Sequence, residues 1–314
     1  LAHAVARIPV TFRWRITSFR ATGFGEFQRK IEQLPWELYL PQPFSISASV
    51  ASQMSRLWHE RAVEQRLEES LCKIGFKLTP EGNKLLVHIE KNICTLWLSG
   101  DRHPLYHRGY QKKVAHAPLR DNIAFALLCE ANFGSCRHLL DPMSGSGTFS
   151  LEALLAQQGR HPAVMKTFDW SCWPSFRLHA WNHLKKNLFV RHPLSPECLD
   201  VECGDIDQQN SILIQENFEA ANVNTAPPQC SNFFDHPPST AQGDSLLVLN
   251  PPWGKRLQGE DRDLFRQIGE KISSDFHGWR WMVLIPGVEN EMLFQESQLK
   301  WEKKRLFKSG GDPI

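Results

Sequence analysis

The patterned part of the chain opens on strict alternation. In residues 10–20, V-T-F-R-W-R-I-T-S-F-R, Phe12, Trp14 and Ile16 fall on one side and Arg13, Arg15 and Thr17 on the other. That is the period of a half-buried strand, here with a basic outer face. A helical stretch over 27–34 and a second strand over 44–50 follow. Residues 55–74 repeat at helical period, with Leu57, Trp58, Arg61, Ala62, Val63, Leu67, Leu71 and Ile74 as the apolar stripe and Gly75 as the stop. Strands over 84–89 and 93–98 complete an order of strand, helix, strand, helix, strand, strand, which describes a small α+β domain.

From residue 119 the rhythm changes to strands alternating with helices. A helix opening near Pro118 turns Phe125, Leu127 and Leu128 toward a sheet. The apolar run His138-Leu139-Leu140 precedes a helical pattern over 149–156. A strand over 199–205 precedes a helix over 211–221, with Asp207 as its cap. The run Ser245-Leu246-Leu247-Val248-Leu249 reads as a buried parallel strand. A helix over 261–272, a strand over 279–285 and the start of another over 303–307 follow. The closing S-G-G-D-P-I reads as a turn cut short before a last strand. This half predicts a doubly wound α/β sheet.

The chemistry concentrates where two of these strands stop. Asp141-Pro142-Met143-Ser144-Gly145-Ser146-Gly147-Thr148 joins the first α/β strand to its helix, the usual seat of a nucleotide-like ligand. Gly145 and Gly147 let backbone N–H groups approach a ligand that a Cβ would push away. Phosphate readings fit poorly. A P-loop needs Lys-Ser/Thr after its last glycine, where Thr148-Phe149 stands, and a dinucleotide loop needs a third glycine, where Ser150 stands. An acid at the strand end suits a ligand with a cationic amine, such as S-adenosylmethionine.

The second stop is Asn250-Pro251-Pro252-Trp253. Two prolines lock φ and cannot continue a ladder, so Asn250 sits on a rigid platform at a strand's carboxyl end. Its amide oxygen and the Pro251 carbonyl can accept both hydrogens of a planar exocyclic NH₂, and Trp253 can stack on the attached base. The two motifs together resemble the class I S-adenosylmethionine-dependent amino-methyltransferases, whose signatures are D-P-x-x-G-S-G-T and (N/D)-P-P-(Y/F/W).

Composition adds limits. The 314 residues suit two domains, with 41% hydrophobic and 22% charged residues. No apolar run approaches the ~20 residues of a membrane span, and the first residues lack a signal-peptide core. The eight cysteines contain no C-x-x-C, which points to reduced thiols and a cytoplasmic protein. No Cys/His spacing suits zinc, so no metal is expected. The net charge of +2 hides an asymmetry: residues 1–113 carry 17 Lys and Arg against 10 Asp and Glu, the remainder 19 against 24. A basic front half on a near-neutral chain suggests a polyanion-binding module ahead of a catalytic one.

The front half, residues 1–104, resembles a THUMP domain with its ferredoxin-like segment. The junction R-G-Y…A-P-L-R-D-N-I-A, residues 108–124, closely resembles that of THUMP-containing guanine-N2 RNA methyltransferases, with residues 105–314 as their Rossmann-like catalytic domain. Residues 168–174, F-D-W-S-C-W-P, match that family's F-x-F-x-x-W-P insertion, with Trp170 where phenylalanine is usual. The resemblance implies N2-methylation of a guanosine in structured RNA, with bacterial 23S rRNA ahead of tRNA. It implies that His116-Ala117-Pro118-Leu119 lies beside the methionine end of S-adenosylmethionine. Asp205 is then placed for the ribose hydroxyls, Ile206 over the adenine, and Asn232-Phe233 where relatives carry an acid for the adenine amine. Arg13, Arg15, Lys255 and Arg256 are expected to meet RNA phosphates. DNA adenine-N6 transfer, glutamine side-chain transfer and a non-catalytic RNA-binding protein remain alternatives.

Overall fold

The computed structural model describes residues 13–41, 43–100, 113, 119–160, 169–188, 198–240, 244–252, 263–306, 308–309 and 312–313. The chain forms two compact units: Leu1–Arg108 with Pro162–Leu188, and Gly109–His161 with Phe189–Ile314.

The first unit runs β1 (Arg13–Arg20), α1 (Phe24–Glu32), β2 (Ser45–Gln53), α2 (Glu60–Lys73), β3 (Lys77–Leu78), β4 (Asn83–Glu90) and β5 (Ile93–Ser99). Its sheet has the order β1-β5-β4-β2-β3, with β5 antiparallel to both neighbours and β2 parallel to β3 and β4. Phe27 and Ile31 of α1 and Val63, Leu67 and Leu71 of α2 share one core with Leu85, Val87, Ile89, Cys94 and Leu96. The alternation in β1 is real, with Arg13 and Arg15 exposed and Trp14 and Ile16 half-buried. A bulge between Arg15 and Thr17 shifts the phase, so Ser18 and Arg20, rather than Thr17, continue the outer face. The expected stripe of α2 needs correction at Arg61, which is exposed, and at its start. The helix begins at Glu60 with His59 as its cap, the His59 ring accepting from the Ala62 N–H at 3.3 Å. Trp58 therefore precedes the helix and is 70% exposed, while Leu57 is buried.

A single cut near residue 104 does not separate the two units. Residues 169–188, including the helix Leu178–Leu188, lie in the first one. The Trp173 ring meets Trp14 edge-on at 6.2 Å, and its Nε1 donates to Asn83 Oδ1 at 3.4 Å. Trp170 is buried edge-on against Trp181 at 5.7 Å. Trp170 and Trp173 pack within the first unit, so the expected contiguous domain over 105–314 is interrupted.

The second unit carries α3 (Asp121–Glu130), β6 (His138–Asp141) and α4 (Thr148–Gln157); Leu178–Leu188 counts as α5. Then come β7 (Asp200–Asp205), α6 (Gln208–Ala220), β8 (Gln229–Cys230), β9 (Ser245–Leu249), α7 (Leu264–Asp275), β10 (Arg280–Val283) and α8 (Gly287–Gln295). A short antiparallel pair, β11 (Lys308–Ser309) and β12 (Asp312–Pro313), closes it. The sheet is parallel throughout, in the order β10-β9-β6-β7-β8. All five residues of β9 are buried. Leu247 and Leu249 pack with Leu264, Phe265 and Ile268 of α7, and the pleat sends Leu246 and Val248 to the opposite face. The strand order reverses between β6 and β9, and ligands of doubly wound sheets bind at that switch point, beyond the strands' carboxyl ends.

Candidate functional site

Both sequence motifs end at the switch point. Leu140 of β6 pairs with Leu247 of β9, so Asp141 and Asn250 stand at the carboxyl ends of neighbouring parallel strands. Asp141 is fully buried. Its Oδ2 accepts from the Ser150 hydroxyl at 2.8 Å and the Ser150 N–H at 3.3 Å, while Oδ1 is buried with no hydrogen-bond partner among the described residues. Burial pushes its pKa up to about 7 against the opposing Ser150 bonds, and the nearby Asp205 charge adds to the rise.

The loop after Asp141 is tied down by β7. Ser144 donates its N–H to the Gly204 carbonyl at 2.9 Å; its hydroxyl bonds the Asp141 carbonyl and accepts from the Gly204 N–H. Gly145 and Gly147 both have left-handed φ, +57° and +76°. They do different work. A Cβ on Gly145 would meet open space, so this position faces outward from the protein. One on Gly147 would lie 3.0 Å from the Ile214 side chain. The second glycine thus leaves room for the Ile214 side chain of α6.

Asp205 ends β7 already engaged. Its carboxylate accepts from the Gly145 N–H at 2.9 Å, the Asp207 N–H at 3.0 Å and Asn210 Nδ2 at 3.1 Å. A carboxylate has about four acceptor positions, which leaves capacity for a ligand hydroxyl. Ile206 beside it is 69% exposed. Asp207 caps α6 as expected, accepting from the Gln209 N–H at 2.9 Å. The adenine-side expectations fare differently. Asn232 Oδ1 accepts from its own turn, the Phe234 N–H at 3.1 Å. Phe233 is buried, stacked on Phe276 at 5.8 Å within the α7 core. Its ring is therefore engaged in packing.

Asn250 is half-buried beside the buried Pro251, and among the described residues nothing hydrogen-bonds its amide. Leu119 is buried ahead of α3. His116, Ala117, Pro118, Trp253, Lys255 and Arg256 lie outside the described residues. Arg13 and Arg15 lie on β1 in the first unit.

One residue escaped the sequence reading. Asn217 of α6 is fully buried. Its Nδ2 donates to the Ser146 carbonyl of the loop at 3.0 Å and to the Lys113 carbonyl at 2.9 Å, while its Oδ1 accepts the Lys113 N–H at 2.8 Å. A side-chain amide thus copies a backbone pairing and binds the Gly loop to the segment that leads toward 116–119. The only sequence signal was an asparagine inside a helix, where that residue is unfavourable without a reason.

The family of RMKL-like methyltransferase domains matches residues 108–312. The chain belongs to that family. A provisionally named RNA methyltransferase of Synechocystis sp. is 26% identical, covering 95% of this chain and 79% of its own length. Ribosomal RNA large subunit methyltransferase K/L of Syntrophotalea carbinolica is also 26% identical, over 87% of this chain. The chain spans only 41% of that relative's length. Among solved structures, SMU.472, a provisionally named methyltransferase in complex with SAH, superposes with a TM-score of 0.79 at 20% identity, covering 99% of this chain and 85% of its own. That likeness concerns the fold.

The residues fit a ligand with an ammonium group and ribose hydroxyls. A buried carboxylate oxygen without a partner calls for a cation, and an outward-facing left-handed glycine leaves room for a close approach. Among the described residues no cluster of His, Cys, Asp and Glu could hold a metal ion.

Proposed function

We propose that this chain transfers a methyl group from S-adenosylmethionine to the exocyclic N2 amine of a guanosine in structured RNA, large-subunit ribosomal RNA before tRNA. The observation that carries the reading lies at the switch point: a half-buried Asn250 amide and a partnerless carboxylate oxygen of Asp141, at the carboxyl ends of neighbouring strands. The relatives named for ribosomal RNA support the substrate class, and the basic front half supports a polyanion.

Asp141 would hold the cofactor's ammonium group, Gly145 would admit its backbone-proximal atoms, and Asp205 would accept from its ribose. Bound there, the cofactor supplies an electrophilic methyl group on a sulfonium. Asn250 Oδ1 and the Pro251 carbonyl accept the two N–H bonds of the target amine, which turns its lone pair out of conjugation with the base and toward the methyl carbon. Neither acceptor titrates, so their contribution is orientation. A guanine within a duplex must first be extruded, and Trp253 follows the acceptor pair directly to support the ring. The first unit, as a THUMP-type module, would bring Arg13 and Arg15 to RNA phosphates, and Lys255 and Arg256 would do so near the target base.

The test is tritiated methyl transfer from S-adenosylmethionine to total RNA and genomic DNA in parallel, followed by nucleoside analysis. Label in N2-methylguanosine is expected. Label in DNA as N6-methyladenine would overturn the reading.

A further inference from the structure

One corner of the first unit collects features that its own fold does not use. Arg20 at the end of β1, Thr22, Glu26 of α1, Arg56 of the β2–α2 loop and Asn92 of the β4–β5 turn line a cavity of about 340 Å³. The walls are fixed. Asn92 Oδ1 accepts the Arg56 N–H at 2.8 Å, its own N–H donates to Ser55 Oγ at 2.9 Å, and its carbonyl accepts from Ala21 at 3.0 Å. Glu26 is spoken for by the Thr22 N–H at 3.1 Å and by Lys30 at 3.5 Å. The guanidinium groups of Arg20 and Arg56 have no partner among the described residues. Two guanidinium groups thus line an open cavity whose single acid is paired with Lys30.

The same unit carries exposed apolar side chains. Trp58 is 70% exposed, Met54 68% and Ile93 42%. Scattered single residues of this kind mean little, but Met54 and Trp58 both sit on the loop that carries Arg56. Met54 also holds a left-handed φ of +46°.

We propose that this corner binds an unpaired RNA strand, with a phosphodiester in the Arg20–Arg56 cavity and a neighbouring base on Trp58. The inference rests on RNA being the substrate. A planar guanidinium matches phosphate oxygens in bidentate fashion, and an exposed indole beside a cationic groove is the arrangement that binds single strands through stacking. The contact surface thus extends beyond Arg13 and Arg15 to a corner that reads both charge and unstacked bases.

The experiment is fluorescence anisotropy with a fluorescein-labelled, mixed-sequence single-stranded RNA across a salt series. The protein is the full chain, and methyl transfer to total RNA is run beside it. The double variant R20A/R56A should bind at least about tenfold more weakly and lose about 0.7 of salt slope per phosphate contact. Trp58→Ala should weaken binding at least about fivefold at unchanged slope. Arg29→Ala, on the exposed side of α1, should bind as wild type does. All these side chains are exposed, so melting temperature and cofactor affinity should stay unchanged in each variant. Unchanged RNA affinity in both R20A/R56A and Trp58→Ala would overturn the proposal. So would unchanged affinity accompanied by loss of a dimer in sedimentation, which would assign the corner to a second copy. A wild type that binds RNA but transfers no methyl would overturn the proposed reaction and leave the corner standing.

Discussion

Asp141 carries a cost that a cation relieves. Its pKa near 7 lies above the ordinary 3.8, so the folded state favours the protonated acid. Stability from this group is full below about 3.8 and is lost as pH rises through about 7. A bound ammonium reverses that preference, because it needs the carboxylate. Cofactor affinity should therefore rise from pH 6 to pH 8, falling by up to about tenfold per unit below 7, as isothermal titration would show. Asp141→Asn keeps an acceptor for Ser150 and removes the buried charge. At pH 8 its cofactor-free melting temperature should equal or exceed wild type, while S-adenosylmethionine should no longer raise it. A wild-type thermal shift in that variant would remove Asp141 from the cofactor site. Asn250 differs, since among the described residues nothing hydrogen-bonds its amide. Asn250→Ala should lose about a hundredfold or more in methyl transfer, with cofactor and RNA affinities unchanged in equilibrium binding. Reduced affinities would instead make Asn250 a binding residue.

At the scale of elements, what the sequence made legible was local. The apolar run Leu246–Leu249 of β9 and the strand-loop-helix around Gly145 announce themselves by composition, because a strand buried on both faces reads as a near-continuous hydrophobic run. What stayed hidden depended on neighbours distant in the chain. Trp58 fits the helical stripe by spacing, yet the helix starts two residues later, at a histidine cap that alternation does not reveal. Phe233 lies beside the expected adenine position in sequence, but the α7 core claims its ring. Asn217 is the clearest case, for its three partners lie 71 and 104 positions away. Asn217→Leu leaves the Ser146 carbonyl and both Lys113 groups unpaired, at about 1–3 kcal/mol for each that stays dry, and a chemical-denaturation midpoint should fall accordingly. Because it joins two cofactor-side segments, it should also weaken S-adenosylmethionine binding; intact affinity would reduce it to a packing role. Gly147→Ala should destabilise by about 1–2 kcal/mol through its left-handed φ and the close Ile214 side chain. Gly145→Ala has the same φ penalty without the clash, so its larger effect should appear in cofactor affinity.

The whole molecule distributes its work unevenly along the chain. Basic excess lies in residues 1–113 and acidic excess beyond, while the first unit takes back Pro162–Leu188 from the middle of the second unit's sequence. That splice decides how the protein can be divided. Trp173 rests on Trp14 and bonds Asn83, and Trp170 is buried against Trp181. Each tryptophan buries about 150–250 Å² in such contacts. A fragment beginning at residue 109 keeps the second unit's strands but carries the insertion without Trp14 or Asn83, which exposes an aromatic surface of the size that drives association. The second unit's sheet, by contrast, draws all five strands from residues 138–283 outside the insertion. Two fragments separate these effects: residues 109–314 intact, and the same fragment with 162–188 replaced by a flexible Gly/Ser linker. Light scattering should show the first aggregating and the second monodisperse, and the second should still bind S-adenosylmethionine, since Asp141, Gly145 and Asp205 all lie outside the insertion. If the intact fragment is instead monomeric and the linker fragment unfolded, the insertion supports the second unit, and the boundary near residue 104 describes the chain after all.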